Sequence, residues 1–198
     1  MNASSIVKAL REQSGKKRRL LEIIVIVAVA LGVQWFQTRG LPEGAAPPLA
    51  GMRSDGVVVA LATRVGVGGT AEGALTANTV TAVKETQRPV LVVFWSTWCP
   101  VCKLEEGNIT RVAERWPVLS VAMQSGDAAT VSRHLQERNV ALPALIDARG
   151  DQAMAWQVQG VPTHFIVDTS GQIRFRVVGY ATTLGLMARL WWSEHVSS

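Results

Sequence analysis

The chain has 198 residues, which suits one domain with appendages and is short for several. Its net charge of +5 and pI near 9.8 raise the question of nucleic acid, but six of the 20 basic residues (Lys8, Arg11, Lys16, Lys17, Arg18, Arg19) precede Leu20, against Glu12 alone of the 15 acidic ones. The remaining body carries fourteen of each sign, so no basic stripe crosses it and no nucleic-acid partner is expected.

Residues 1–19 read as a basic cytoplasmic tail and 20–37 as a transmembrane anchor. Leu20 to Phe36 is apolar except for Glu22 and Gln34, and Ile23 to Val33 contains nothing polar. A helix of about 20 apolar residues crosses a bilayer, with about 17 at the short end. Lys and Arg ahead of it hold the N-terminus inside, and Trp35 and Phe36 suit the far interface. A cleavable signal peptide competes with this reading, because Ala28-Val29-Ala30 resembles a small-residue cleavage site. The third alternative, a buried soluble helix, fits poorly with the basic cluster before the segment and the polar stretch after it. The expected location is the inner (cytoplasmic) membrane, single-pass, with the domain facing the periplasm or cell exterior. Thiols there tend toward disulfides, so a reducing role would need an electron supply.

Residues 38–56 contain Pro42, Gly44, Pro47, Pro48, Gly51 and Gly56 and read as a linker, which leaves 57–198 as the domain. Val57 to Ala62 is strand-like, Arg64 to Gly69 suggests a second short strand, and Leu75 to Lys84 suits a short strand or helical turn. Val90 to Trp95 is a continuous apolar run, as in a strand covered on both faces. The pattern predicts a helix over Cys99 to Arg115, with Pro100 in its first turn. It then predicts a buried strand over Val118 to Met123 and a helix capped by Asp127 that runs to Arg138. An edge segment at Leu142 to Ile146 and a short helix at Asp151 to Gln157 come next. Strand Thr163 to Val167, the turn Asp168 to Gly171 and strand Gln172 to Val178 form a hairpin. Thr182 to His195 closes the chain as an amphipathic helix with Leu184, Leu186, Met187, Leu190 and Trp191. This order predicts an α/β fold, a mixed central sheet flanked by helices, with a parallel first crossover and an antiparallel last pair.

The chemistry centres on Trp95-Ser96-Thr97-Trp98-Cys99-Pro100-Val101-Cys102, which holds the only two cysteines. A Cys-x-x-Cys that opens a helix places a thiol where free backbone N–H groups and the positive dipole end favour its thiolate. A structural disulfide is the plainer alternative, but so short a loop gives little entropic stabilisation. Two cysteines also fall short of the usual four zinc ligands, so no metal and no cofactor are expected.

This motif, followed by Gly160-Val161-Pro162-Thr163, resembles the thioredoxin superfamily. The membrane-anchored TlpA/ResA-like thiol–disulfide oxidoreductases are the nearer match. Among these, Trp98 to Cys102, Val121 to Asp127 and Leu190-Trp191-Trp192 resemble the suppressor-of-copper-sensitivity protein D group. The resemblance covers roughly residues 89–195 and does not reach 57–80. It implies a thioredoxin-like fold and a protein-disulfide oxidoreductase. Its partners would be protein thiols and disulfides, and a DsbD-like transmembrane thiol transporter as electron source, which favours a reductase.

Residue by residue, the resemblance makes Cys99 the exposed nucleophile and Cys102 the resolving thiol, and Pro162 the family's cis-proline. A substrate strand would lie against the backbone of Val161, with Trp98, Pro100 and Val101 around the dithiol and Trp98 shielding it. One departure concerns the buried carboxylate that thioredoxin carries two residues before the first motif Trp, because Val93 stands here. Lys103 lies four residues after Cys99 and is able to favour its thiolate, or is simply solvated. Glu105 and Glu106 read as a solvated helix face, with proton transfer from Cys102 as the sharper alternative. His164 shares the face of Pro162 and reads as a half-buried strand residue, with a tuning or copper-ligand role as the alternative. His134 and His195 read as surface, and Trp191-Trp192 as one core and one surface residue. Two rival functions remain. A copper carrier of the synthesis-of-cytochrome-oxidase type would have three residues between its cysteines, where this chain has two. A cytochrome c maturation thioredoxin would have an acidic residue where Thr163 stands.

Overall fold

Residues Val90–Trp95 form a strand buried along its whole length, and this hydrophobic run organises the domain. The computed structural model describes residues 20–29, 32–61, 80–82 and 88–196. The expected tail at 1–19 and the expected strand at Arg64 to Gly69 lie outside them.

Helix α1, Leu20–Thr38, has 19 residues and a mean hydropathy of 2.0. By length and composition it is able to cross a membrane, a test that a signal sequence passes equally.

The strands of the second unit, from Gly40 onward, run in chain order as β1 (Gly44–Ala45), β2 (Leu49–Met52), β3 (Val58–Leu61), β4 (Val80–Ala82), β5 (Val90–Trp95), β6 (Val118–Met123), β7 (Ala144–Asp147), β8 (Thr163–Val167) and β9 (Gln172–Val178). Its helices are α2 (Pro100–Ala113), α3 (Ala128–Glu137), α4 (Asp151–Ala155) and α5 (Thr183–Val196). A six-stranded sheet has the order β1-β9-β8-β5-β6-β7, and a three-stranded sheet has the order β2-β3-β4. β5 pairs in parallel with β6, and β8 pairs antiparallel with both β5 and β9. The mixed sheet, the parallel crossover and the terminal hairpin therefore match the pattern read from the sequence.

Side chains alternate across a strand, so β5 feeds two cores at once. Val90, Val92 and Phe94 join Leu119, Val121, Trp156, Phe165 and Val167 on one face. Leu91, Val93 and Trp95 join Val112, Ile166, Leu186 and Leu190 on the other, beneath α2 and α5. Both cysteines belong to this second cluster.

Two expectations change. Within the Pro- and Gly-rich stretch 38–56, β1 pairs with β9 and β2 pairs with β3, so these residues pack into the domain. Gly51 serves close approach there, since a Cβ at that position would lie 3.3 Å from Leu145 Cδ2. On α5 the buried stripe is Leu186, Leu190 and Ser193, which a 3.6-residue period selects. That leaves Leu184, Trp191 and Trp192 exposed, both tryptophans by about half.

The β8–β9 turn is closed by Asp168. Its Oδ1 accepts from Ser170 N–H (2.9 Å), Ser170 Oγ–H (2.6 Å) and Gln172 N–H (2.9 Å), and its Oδ2 accepts from Arg174. Burial pushes this carboxyl up, but the donors and the Arg174 charge outweigh burial and hold it below its usual 3.8. A depressed folded value stabilises the fold above the unfolded value, and the contribution is lost as pH falls through the folded one. Asp168→Asn is therefore expected to cost about 1–3 kcal/mol in urea unfolding at neutral pH. The gap between variant and parent should begin to narrow as the pH falls through 3.8 and close only below the depressed folded value. A gap that persists unchanged at pH 2 would show that ionisation is not its source.

Candidate active site

The sequence puts the dithiol where one helix begins. Cys99 is the N-cap of α2, with extended backbone, and its Sγ accepts from Cys102 N–H at 3.1 Å. Cys99 and Cys102 form a disulfide with a Cα–Cα separation of 5.3 Å. Pro100 occupies the first turn, where its missing N–H costs nothing, and no acidic side chain lies there to oppose the dipole.

The preceding loop is tied to the segment after β6. Ser96 Oγ–H donates to Met123 O (2.6 Å), Thr97 N–H to Ser125 Oγ (3.0 Å) and Trp98 Nε1–H to Gln124 O (3.1 Å). Trp98 is 58% exposed, whereas Cys99 is only 4% exposed. The expectation of an exposed Cys99 is thus corrected for the disulfide form. Val161 and Pro162 are joined by a cis peptide bond, and Val161 O lies 3.6 Å from Cys99 Sγ. The structure therefore brings Cys99, Cys102, Val161 and Pro162 together, with Trp98, Pro100 and Val101 on the rim and Lys103 exposed beside them.

Beneath Cys102 the sequence reading needs its largest correction. Glu105 is 1% exposed and therefore not a solvated residue. It falls on the inner stripe of α2 with Cys102, Ile109 and Val112. Its Oε1 accepts from Ala181 N–H at 2.7 Å. Asn108 fixes that loop by donating to Ala181 O at 3.0 Å. Glu106 is also held, by His134 Nε2 at 3.1 Å and Arg138 Nε at 2.8 Å, so His134 is half-buried and not free surface.

His164 is fully buried instead of half-buried. In register it sits between Val93 on β5 and Val177 on β9, on the face beneath α2. Its Nε2 lies 3.0 Å from Glu105 Oε1. That separation is an ion-pair distance, but the ring N–H direction is off the oxygen and Nε2 makes no aligned hydrogen bond among the described residues. A buried acid is thus present, supplied by α2 above Val93 and not by β5 itself. The spacing Cys102, Glu105, Ile109, Val112 is the signal that reveals it in the sequence. A cavity of about 30 Å³, room for one water molecule, is lined by Cys102, Glu105, Val93 and Trp95 among others. Among the described residues no group of three His, Cys, Asp or Glu side chains is placed to hold a metal ion.

The model of the thioredoxin-like domain family matches residues 76–189, more than half of the chain. The chain belongs to the thioredoxin-like domain family. It is 32% identical to a thioredoxin-like protein of Haemophilus influenzae, covering 54% of this chain and 64% of that one. It is 36% identical to the thiol:disulfide interchange protein DsbE of Pseudomonas aeruginosa, covering 46% of this chain and 52% of that one. The chain thus spans between about half and two thirds of the length of these curated relatives. A crystal structure of a thiol:disulfide interchange protein of the thioredoxin family from Chlorobium tepidum superposes with a TM-score of 0.57 at 20% identity. It covers 77% of this chain and 97% of that one, which shows the fold alone.

Proposed function

We propose that this protein is a thiol–disulfide oxidoreductase that exchanges disulfides with protein substrates through Cys99 and Cys102. The observation that carries this reading is the Cys99–Cys102 disulfide at the N-cap of α2, with Cys99 Sγ 3.6 Å from Val161 O beside cis-Pro162. In the reducing direction Cys99 attacks as a thiolate and forms a mixed disulfide. Cys102 then loses its proton and attacks Cys99 Sγ, and the substrate leaves as a dithiol. Glu105 is the group placed to take the Cys102 proton, directly or through one water. Val161 and Pro162 offer backbone for an extended substrate segment, with Trp98, Pro100 and Val101 forming the rim.

The location belongs to the same proposal. α1 anchors the protein in the inner membrane, residues 1–19 stay in the cytoplasm and the dithiol faces the periplasm. A DsbD-like transmembrane thiol transporter returns electrons to Cys102–Cys99, which makes the protein a reductase. The names of the relatives, thiol:disulfide interchange proteins, support the exchange chemistry.

Cys102→Ser tests the reading by trapping. Expressed in the native host, it should accumulate mixed disulfides at Cys99 that dissolve on reduction, and the transporter should be among them. Recovery of no mixed disulfide would end the exchange proposal. Substrates without the transporter would end the reductase assignment alone.

A further inference from the structure

We propose that Leu104 and Tyr180 form an apolar shelf beside the dithiol. The shelf takes a large apolar side chain of the substrate polypeptide, about two residues from its reacting cysteine. This inference rests on the exchange reading above and names the kind of segment that the site prefers.

Helix α2 presents three stripes. The inner one is Cys102, Glu105, Ile109 and Val112. Lys103, Gly107 and Arg111, four residues apart, lie exposed on a solvated one. The third is Val101, Leu104 and Asn108, spaced by three and four residues and so also on one face. The solvent side of a surface helix is normally polar. Leu104 is nevertheless 75% exposed, and Val101 is exposed one turn before it.

Asn108 shows what lies along this third stripe. Its Nδ2 donates to Tyr180 Oη at 2.9 Å and to Ala181 O at 3.0 Å, and its Oδ1 accepts from Thr183 Oγ1–H at 3.1 Å. One amide thus clamps the loop between β9 and α5 onto α2. Tyr180 is 53% exposed and yet held by its hydroxyl. An aromatic ring has few torsions to lose when a partner covers it, and a ring already held loses fewer still.

The shelf is continuous with the place where the chemistry occurs. Gly179 N–H donates to Pro162 O at 2.8 Å, so Tyr180 follows directly on a residue bonded to the cis-proline. Leu104 stands five residues after Cys99 on α2, about 7.5 Å along a helix that rises 1.5 Å per residue. An extended segment rises about 3.3 Å per residue and covers that span in about two residues. The substrate sulfur must reach Cys99 Sγ, because exchange forms a bond there. A segment that leaves that sulfur along α2 therefore passes Val101 and meets Leu104 and Tyr180. Neither side chain is charged, so the shelf suits Leu, Ile, Met or Phe, while a charged side chain would lose hydration without gaining a partner. Side chains of that kind are mostly inside folded proteins. The shelf therefore favours unfolded chain over a folded surface.

The test compares two disulfide-linked peptide dimers, one with Leu two residues to each side of the cysteine and one with Ser at those positions. Reduced full-length protein in detergent reduces each in single turnover over a range of peptide concentrations. Far below saturation the Leu peptide should react about tenfold faster, the scale of one apolar side chain in a matching site. The gain should lie in the half-saturating concentration, with maximal rates within about twofold, because the shelf binds without touching the sulfurs. Leu104→Ser combined with Tyr180→Ser should erase the preference and leave the Ser peptide within about twofold of the parent. Tyr180→Phe, which keeps the ring, should retain most of the preference. Leu104→Ser alone, at so exposed a position, should already remove about half of it. No preference in the parent, a preference that survives the double substitution, or equal slowing of both peptides overturns the inference. Failure of the parent to reduce either peptide would instead overturn the exchange reading.

Discussion

Cys99→Ser is expected to abolish disulfide exchange and to leave the fold standing. Serine's hydroxyl is not ionised near neutral pH and forms no disulfide, so the loss should exceed about three orders of magnitude, as for other removed nucleophiles. The structural cost should be small for a specific reason. Cys99 acts as the N-cap of α2 through its Sγ, which accepts from Cys102 N–H. Serine is among the preferred N-cap residues and its Oγ is able to accept the same bond. The disulfide that disappears closes the shortest of loops, which is the least stabilising kind. Insulin reduction with a chemical electron donor should therefore fall to background, while the urea midpoint stays close to the parent's. Retained exchange would mean that Cys102 attacks substrates itself. Collapse of the fold would mean that the disulfide is structural after all.

Much of this site is legible in the sequence because it is local. The dithiol, the helix that follows it and the Pro100 in its first turn depend on neighbours within a few residues. Pro162 is different: its cis bond and its place beside Cys99 join two distant segments, and only the family resemblance points to them. Glu105 shows where local reading stops. A glutamate on a helix is normally solvated, and what buries this one comes from elsewhere: the Ala181 amide before α5 and His164 on β8. The helical spacing with Cys102, Ile109 and Val112 was available, but an acidic residue on an apolar stripe needs a partner, and no partner is visible at short range. The same cause explains the stretch at 38–56. Its prolines and glycines suit a linker, yet Gly51 lets β2 approach Leu145, a contact that exists only in the folded domain. On α5 the difference is one of phase, since Trp191 beside Leu190 falls 100° round the helix from the buried stripe.

Trp156→Ala is expected to be among the most damaging substitutions in the opposite core. Trp156 is fully buried and lies at 4.9 Å between ring centroids from Phe165 and 5.7 Å from Phe94. Deleting such a ring costs about 3–5 kcal/mol, through lost transfer energy and the cavity left behind. A domain of this kind has about 5–15 kcal/mol in all, so the variant should be close to unfolding at 37 °C. Trp156→Phe should be much milder. It keeps the edge contact with Phe165 and removes the indole N–H, which has no hydrogen-bond partner among the described residues. Relief of an unpaired buried donor is worth about 1–3 kcal/mol and offsets much of the lost volume. Urea unfolding with an unchanged slope provides the measurement. Equal losses in both variants would show that ring packing is not what Trp156 contributes. This face of the sheet is also the one that lacks the dithiol. Well below its own unfolding midpoint, Trp156→Ala should therefore keep the parent's rate of disulfide exchange, which separates what holds the sheet together from what exchanges the disulfide.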